Sequence, residues 1–243
     1  MVNYLNIFYP ESRFGGFTDV DGTIAFYTRV KSLIEPTSVV LDVGCGRGMY
    51  GEDPVIARRQ NRILKGHCER VIGIDVDPVG ELNPYLDEFR RIETARWPLE
   101  DESVDVIVSD CVLEHIEDPE AFLAECRRAL KLGGYLCLRT ANAHSYIGLI
   151  SRLVPNHLHA AVLKRARHSK KEEDIFPTVY RCNTRRKLAK ALDRFEFDHC
   201  VYEHESEPHY LSFSKFFYLL GVLHQRFALR FFKAAIFAFA KKR

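Results

Sequence analysis

The residues best placed to do chemistry lie in "VVLDVGCGRG", where a β-branched run ends in Asp42 and Val43 and passes into Gly44, Cys45, Gly46, Arg47 and Gly48. Glycines spaced in this way let a backbone turn sharply and approach a ligand that any Cβ would block. Asp42 stands at the carboxyl end of the run, where it can orient an amino-bearing or cationic ligand, and Asp75 ends the next apolar run in "VIGIDVDP". A carboxylate there can accept hydrogen bonds from both hydroxyls of a ribose. A glycine turn without a ligand explains the loop alone; the loop and the two acids together describe a nucleoside site. A nicotinamide dinucleotide calls for a third glycine, in G-x-G-x-x-G, so that a helix packs close beside its pyrophosphate. That place holds Met49. Asp75 also lies farther past the loop than the about 20 residues usual for a ribose acid, because "YGEDPVIARRQNRILKGH" is longer than one connecting helix needs.

The elements that must position these groups follow from the alternation of short β-branched runs with helix-length segments, the pattern of a parallel sheet with crossover helices. Strands are predicted at Val39 to Val43, Arg70 to Asp75, Val104 to Ser109 and Tyr135 to Thr140. Between the last two, "DPEAFLAECRRALKLGG" predicts a helix capped by Asp118, opened by Pro119 and ended by Gly133 and Gly134. Its Phe122, Leu123, Cys126, Ala129 and Leu130 share one face. Residues 142–175 are polar and basic, with a weaker helical pattern. "TRRKLAKALDRF" predicts a helix, Phe197 to Tyr202 a strand, and "AAIFAFA" a last strand. The fold class is α/β: a Rossmann-like, doubly wound, mostly parallel sheet. With no repeat or low-complexity linker, residues 1–243 read as a single domain. Its parts are an N-terminal segment (1–35), a cofactor-binding core (36–142), an acceptor-side insert and helix (143–195) and a C-terminal portion (196–243).

From the acidic residue followed by G-x-G-x-G, the chain resembles the class I S-adenosylmethionine-dependent methyltransferases. The run from Trp97 to Asn142 is similar to the methyltransferase type 11 and 12 family, related to enzymes of quinone biosynthesis. The resemblance covers about residues 36–142. It implies S-adenosyl-L-methionine as cofactor, held by Asp42, Gly44, Cys45, Gly46, Gly48, Asp75, Val76, Glu93, Thr94, Ser109 and Asp110, with Glu93 and Thr94 toward the adenine. It also places "VLEH", Val112 to His115, near the methyl-donor end.

Methyl transfer is an in-line displacement, so the protein has to hold the nucleophile in near-attack geometry and exclude water; a base helps when the acceptor is a hydroxyl. His115 is the first candidate base, with capping or packing as its alternative. Tyr146, Tyr180 and Arg181 are candidates for the acceptor pocket, while Asn183 or Thr184 can cap the helix that follows. His144, His157 and His159 are weaker candidates, and their spacing supports no metal site. Near the N-terminus, Tyr9, Arg13, Phe14 and Phe17 either cover the site as a lid or pack under the sheet.

Composition narrows the rest. Of 243 residues, 47% are apolar and 28% charged, with a net charge of +2, an ordinary globular balance without the basic excess of a nucleic-acid binder. "SDCVLEH" stands where an exocyclic-amine methyltransferase for nucleic acid would carry an Asn/Asp-Pro-Pro-aromatic run. The expected acceptor is a small molecule or carbohydrate, with oxygen favoured; an RNA or protein acceptor, or cofactor binding without catalysis, is the alternative. Seven cysteines without a C-x-x-C pair and the lack of a signal-like start predict reduced thiols and a cytoplasmic protein with no transmembrane segment. The basic residues from Arg152 to Lys171 suit an anionic substrate, a membrane surface or, most commonly for such runs, a solvated face. From Leu211 onward there is no acid among aromatic and basic residues. That segment has three placements: core packing, which the general rule favours, an acceptor tunnel, or peripheral contact with a membrane surface. Nothing in the sequence fixes an oligomeric state.

Overall fold

The computed structural model describes residues 4–146, Gly148 and residues 177–243. Its strands are β1 (Val39–Val43), β2 (Arg70–Asp75), β3 (Glu88–Arg91), β4 (Val104–Asp110), β5 (Leu130–Ala141), β6 (Phe197–His204) and β7 (Ala235–Lys242). They form one seven-stranded sheet in the order β3-β2-β1-β4-β5-β7-β6. β1 to β5 pair in parallel, whereas β7 runs antiparallel to both β5 and β6. Strand order reverses beside β1, where the connections leave in opposite directions toward β2 and β4. In an open α/β sheet that reversal leaves a crevice at the carboxyl ends of the strands, and the glycine loop leaves β1 at this crevice.

The expected strands are present, and the doubly wound, mostly parallel α/β fold is the one observed. Alternation along the strands supplies two buried faces. On one, helix α2 (Gly22–Lys31) lays Phe26, Tyr27 and Val30 against Val40, Val71, Val106, Val108 and Phe237. Its first turn is capped by Asp21, which accepts from the backbone N–H groups of Thr23 and Ile24. On the other, helix α4 (Pro119–Ala129), capped by Asp118 as expected, buries Phe122, Leu123, Cys126 and Ala129. Helix α5 (Arg185–Arg194) adds Leu188 and Leu192. Its cap is Thr184, whose hydroxyl accepts from Lys187 N–H. Each of these large apolar side chains contributes about 1.5–3 kcal/mol by leaving water.

One expected boundary is corrected. Gly133 and Gly134 do not end α4: the helix stops at Ala129 and the chain enters β5 directly at Leu130. Gly133, at φ 79°, instead lies in the irregular part of β5 where Val104 pairs with Leu130 but Val106 with Tyr135, so that β5 carries extra residues that a left-handed backbone accommodates. β3, "EFRR", has no sequence signal, because an edge strand flanked by solvent needs no apolar alternation. The extra length before Asp75 is taken up by a 3-10 turn at Met49–Glu52, the short helix α3 (Ile56–Arg62) and a loop. His157, His159 and the basic run from Arg152 to Lys171 lie outside the described residues.

Candidate cofactor site

The loop after β1 is built around positive φ angles: 72° at Gly44, 48° at Gly46 and 77° at Gly48. Gly44 has a second reason to be glycine, since Val112, from the segment after β4, lies where its Cβ would be. At Gly46 the opposite holds: a Cβ would meet no atom within 4 Å, so open space faces the loop there. Asp75 closes the loop onto β2. Its Oδ2 accepts from Gly46 N–H at 3.0 Å and its Oδ1 from Asp77 N–H at 3.0 Å. Each oxygen keeps a second lone pair for a ribose hydroxyl. Asn83 ties down the other side, its Nδ2 donating to the carbonyls of Cys45 at 3.1 Å and Gly46 at 3.2 Å. Beyond Asp75, Val76 is an exposed apolar side chain. Ile92 N–H donates to Asp75 O at 2.8 Å, which places the exposed Glu93 and Thr94 just past this edge. A ribose carboxylate, an apolar step and a polar lip thus follow one another beside an open loop, and this arrangement fits the nucleoside of S-adenosylmethionine.

Next to the loop, Asp42, Asp110 and Arg139 lie on one face of three adjacent strands. Arg139 grips Asp110 with Nε to Oδ1 and Nη2 to Oδ2, each 2.6 Å, and Tyr27 donates its hydroxyl to Oδ2 at 3.0 Å. Burial by itself would raise the Asp110 pKa, but the Arg139 guanidinium holds it far below the ordinary range. Asp42 has no such clamp. Burial, reinforced by Asp110 and Asp75, pushes its carboxyl up to about 7 against the opposing pull of Arg62. From α3, Arg62 lies 3.5 Å from Asp110, with its guanidinium 4.8 Å from the Tyr50 ring centre and 5.6 Å from that of Tyr27. A guanidinium thus supplies cationic character between two aromatic rings and beside two carboxylates, an environment also suited to an ammonium or sulfonium group. Cys45 is buried, its thiol pushed up by desolvation, and Ser109 Oγ is buried without a hydrogen-bond partner.

The acceptor-side candidates gather on the other flank. His115 ends a 3-10 turn, Leu113–His115, and its Nδ1 lies 2.8 Å from Pro177 O. A carbonyl only accepts, so Nδ1 carries the proton and Nε2 is the basic nitrogen of the neutral ring. The neighbouring Glu114 is buried and accepts from Thr140 Oγ1 at 2.6 Å, which in turn accepts from Asn183 Nδ2 at 2.6 Å. The Glu114 carbonyl takes the N–H groups of Val179 and Tyr180. The 177–183 segment is thereby fastened beside His115, with Tyr180 buried at φ 51°. Arg181 is exposed and reaches Glu117 at 3.9 Å. Tyr146 stands apart from these, packed edge-on against His224 with centroids 5.1 Å apart. Of the N-terminal candidates, Tyr9 is buried, while Phe14 lies open to solvent. Among the described residues no cluster of His, Cys, Asp and Glu is arranged to hold a metal.

Sequence reading missed Asn83, Tyr27, Arg62, Arg139 and Asn183. Arg139 left a signal in "YLCLRTAN", a cation within a buried strand, which requires a partner. The others are ordinary helix and loop residues until folding brings them to the crevice.

Residues 41–138 match the family model described as "Methyltransferase domain". A "Probable S-adenosylmethionine-dependent methyltransferase" of Mycolicibacterium smegmatis is 38% identical over 108 residues, 42% of this chain and 38% of that protein. A "Ubiquinone biosynthesis O-methyltransferase" of Rhizobium rhizogenes is 29% identical over 103 residues, 42% of this chain and 41% of that protein. The match thus spans about two fifths of each relative's length. A solved structure of a SAM dependent methyltransferase from Archaeoglobus fulgidus superimposes with a TM-score of 0.55, covering 99% of this chain and 100% of that one at 17% identity. Residues 41–138 therefore match a methyltransferase domain over about two fifths of the chain, and the chain has the Rossmann-like fold of the solved S-adenosylmethionine-dependent methyltransferase.

Proposed function

We propose that the protein binds S-adenosylmethionine at the Gly44–Gly48 loop and transfers its methyl group to a small-molecule or carbohydrate acceptor, at oxygen. The observation that carries this reading is the loop itself, closed on Asp75 yet open at Gly46. Bound there, the cofactor supplies a methyl group activated by a sulfonium. The remaining work falls to the chain's own residues. Asp75 accepts from the ribose hydroxyls, Val76 packs against the adenine with Glu93 and Thr94 at its rim, and Gly46 admits the backbone close to the ligand. Asp42 faces the amino group. Ser109, Asp110 and Cys45 shape the wall, Asp110 through the orientation that Arg139 imposes on it.

On the acceptor side, His115 holds a lone pair at Nε2 because Pro177 O takes the Nδ1 proton. It serves as the base for a hydroxyl, with Tyr180 and Arg181 beside it and Tyr146 at the far rim. The N-terminal segment, residues 1–35, serves as the cover of this cofactor core, and residues 143–195 as the acceptor side. A relative named for O-methylation supports oxygen as the acceptor atom.

Calorimetric titration with S-adenosylmethionine, S-adenosylhomocysteine and NADH tests the cofactor. The expected result is binding of the first two, none of NADH, and loss of both in Asp75→Ala. Absence of binding by both S-adenosylmethionine and S-adenosylhomocysteine overturns the reading. Turnover against panels of hydroxylated small molecules and sugars, compared with RNA and protein, tests the acceptor.

A further inference from the structure

The helix α6 (Lys215–Phe227) presents two apolar faces in opposite directions. One consists of Tyr218, Gly221 and Val222, buried against Tyr9 and against Tyr4, Leu5 and Phe8 of the N-terminal helix α1 (Tyr4–Phe8). The other carries Phe216, Phe217, Leu220, Leu223 and Phe227, all between 44 and 77% exposed. At 3.6 residues per turn these two sets lie on opposite sides of the axis. The exposed face continues past the helix end into Phe231 and Phe232. Of the sixteen large apolar side chains exposed among the described residues, ten lie between Phe213 and Phe232. Ring contacts join Phe213 and Phe216 to Phe217, and Phe231 to Phe232, a concentration unlike the single scattered apolar residues normal for a soluble surface.

Charge decides what covers it. No Asp or Glu follows Glu207, whereas Lys215, Arg226, Arg230 and Lys233 border the patch. Lys215 and Arg230 form no ion pair among the described residues. A second copy of the chain laid face to face would bring Lys215 and Arg230 against their like, a like-charge arrangement that opposes pairing. An anionic surface satisfies them, and Phe and Leu side chains flanked by Lys and Arg are the composition of an element lying in a bilayer interface. The patch is anchored to the sheet edge that carries the glycine loop: Asn142, just past β5, donates to the carbonyls of Phe231 and Lys233, each at 2.8 Å.

We propose that α6 and the turn after it dock the protein on an anionic phospholipid bilayer, the helix lying flat with Phe216, Leu220 and Phe227 in the acyl boundary and the cations among the headgroups. Docking needs neither cofactor nor catalysis, so it stands or falls separately from the methyl-transfer reading.

Co-sedimentation with vesicles of phosphatidylcholine alone, and of phosphatidylcholine mixed with phosphatidylglycerol, is the test. The expected result is binding to the mixed vesicles at least about tenfold stronger than to the neutral ones and weakened by salt. Binding is lost in Leu220→Ser/Phe227→Ser, which changes exposed side chains only, and falls toward the neutral-vesicle level in Arg226→Gln/Arg230→Gln. Both variants keep the wild-type melting temperature. A chain that stays in the supernatant with both vesicle types, or an Arg226→Gln/Arg230→Gln variant that binds as wild type, overturns the proposal. A dimer in light scattering that Leu220→Ser/Phe227→Ser converts to monomer also overturns it, in favour of a second copy as the occupant.

Discussion

At the scale of single residues, the three glycines of the loop are not equivalent, although the sequence writes them alike. Gly44→Ala forces a methyl group into Val112 and a left-handed backbone on alanine, so its thermal melt should fall well below that of Gly46→Ala. Gly46→Ala has room and carries only the left-handed strain, about 1–2 kcal/mol, but its methyl group enters the open space that the proposed cofactor would fill. Calorimetry should therefore show S-adenosylmethionine affinity down by about tenfold or more in a protein that still folds. Asp42 gives a second prediction with a defined sign. Its folded pKa of about 7 stands above the ordinary 3.8, so the folded protein holds this proton more tightly than the unfolded chain. Stability from this group is full below 3.8 and is lost as pH rises toward 7. Asp42→Asn should exceed wild type in unfolding free energy at pH 8 by on the order of a few kcal/mol, measured by denaturant unfolding, and the gap should shrink by more than half at pH 5. The same substitution should weaken cofactor binding, and a gap unchanged with pH would show that Asp42 is not desolvated.

At the scale of elements, the parallel core was legible because strands buried on both faces must be apolar throughout and helices between them must show one apolar stripe. β1 and β2 were read to the residue. β3 was not, because an edge strand is freed from that requirement, and the end of α4 was misplaced because glycines that often stop a helix here bend a strand instead. Leu123, fully buried on α4, should cost about 2–5 kcal/mol when replaced by alanine, measured by denaturant unfolding. The Arg139–Asp110 pair binds β5 to β4 at their carboxyl ends. Arg139→Met removes the two-point clamp and leaves the buried carboxylate to Arg62 at 3.5 Å and the Tyr27 hydroxyl, and should cost up to about 3–5 kcal/mol, whereas Arg139→Met/Asp110→Leu should recover much of that loss. A single variant as stable as wild type would remove the pair from the account of the site.

At the scale of the whole molecule, β7 completes the sheet between β5 and β6. It pairs with β5 over Tyr135 to Ala141 and with β6 over Phe197 to His204, and β6 sits at the sheet's edge with β7 as its neighbour. Truncation after Ala234 should abolish the cooperative thermal transition, followed by circular dichroism, because β6 loses its neighbour in the sheet and the buried Ile236, Phe237 and Ala238 leave the core. The amino-acid sequence by itself determined the parallel sheet, the glycine loop and the acids at two strand ends. Those features are local: burial periodicity and a turn that only glycine can make are written in consecutive residues. The tertiary structure alone decided which distant groups complete the site. The Asn83 clamp on the loop, the Arg62 and Arg139 cations facing the strand-end acids, and the Pro177 carbonyl that sets the His115 tautomer join residues far apart in the chain, and no local pattern encodes such pairings. It also decided that the aromatic C-terminal helix turns one apolar face inward and the other outward, since the sequence contains both faces but not the direction in which the core lies.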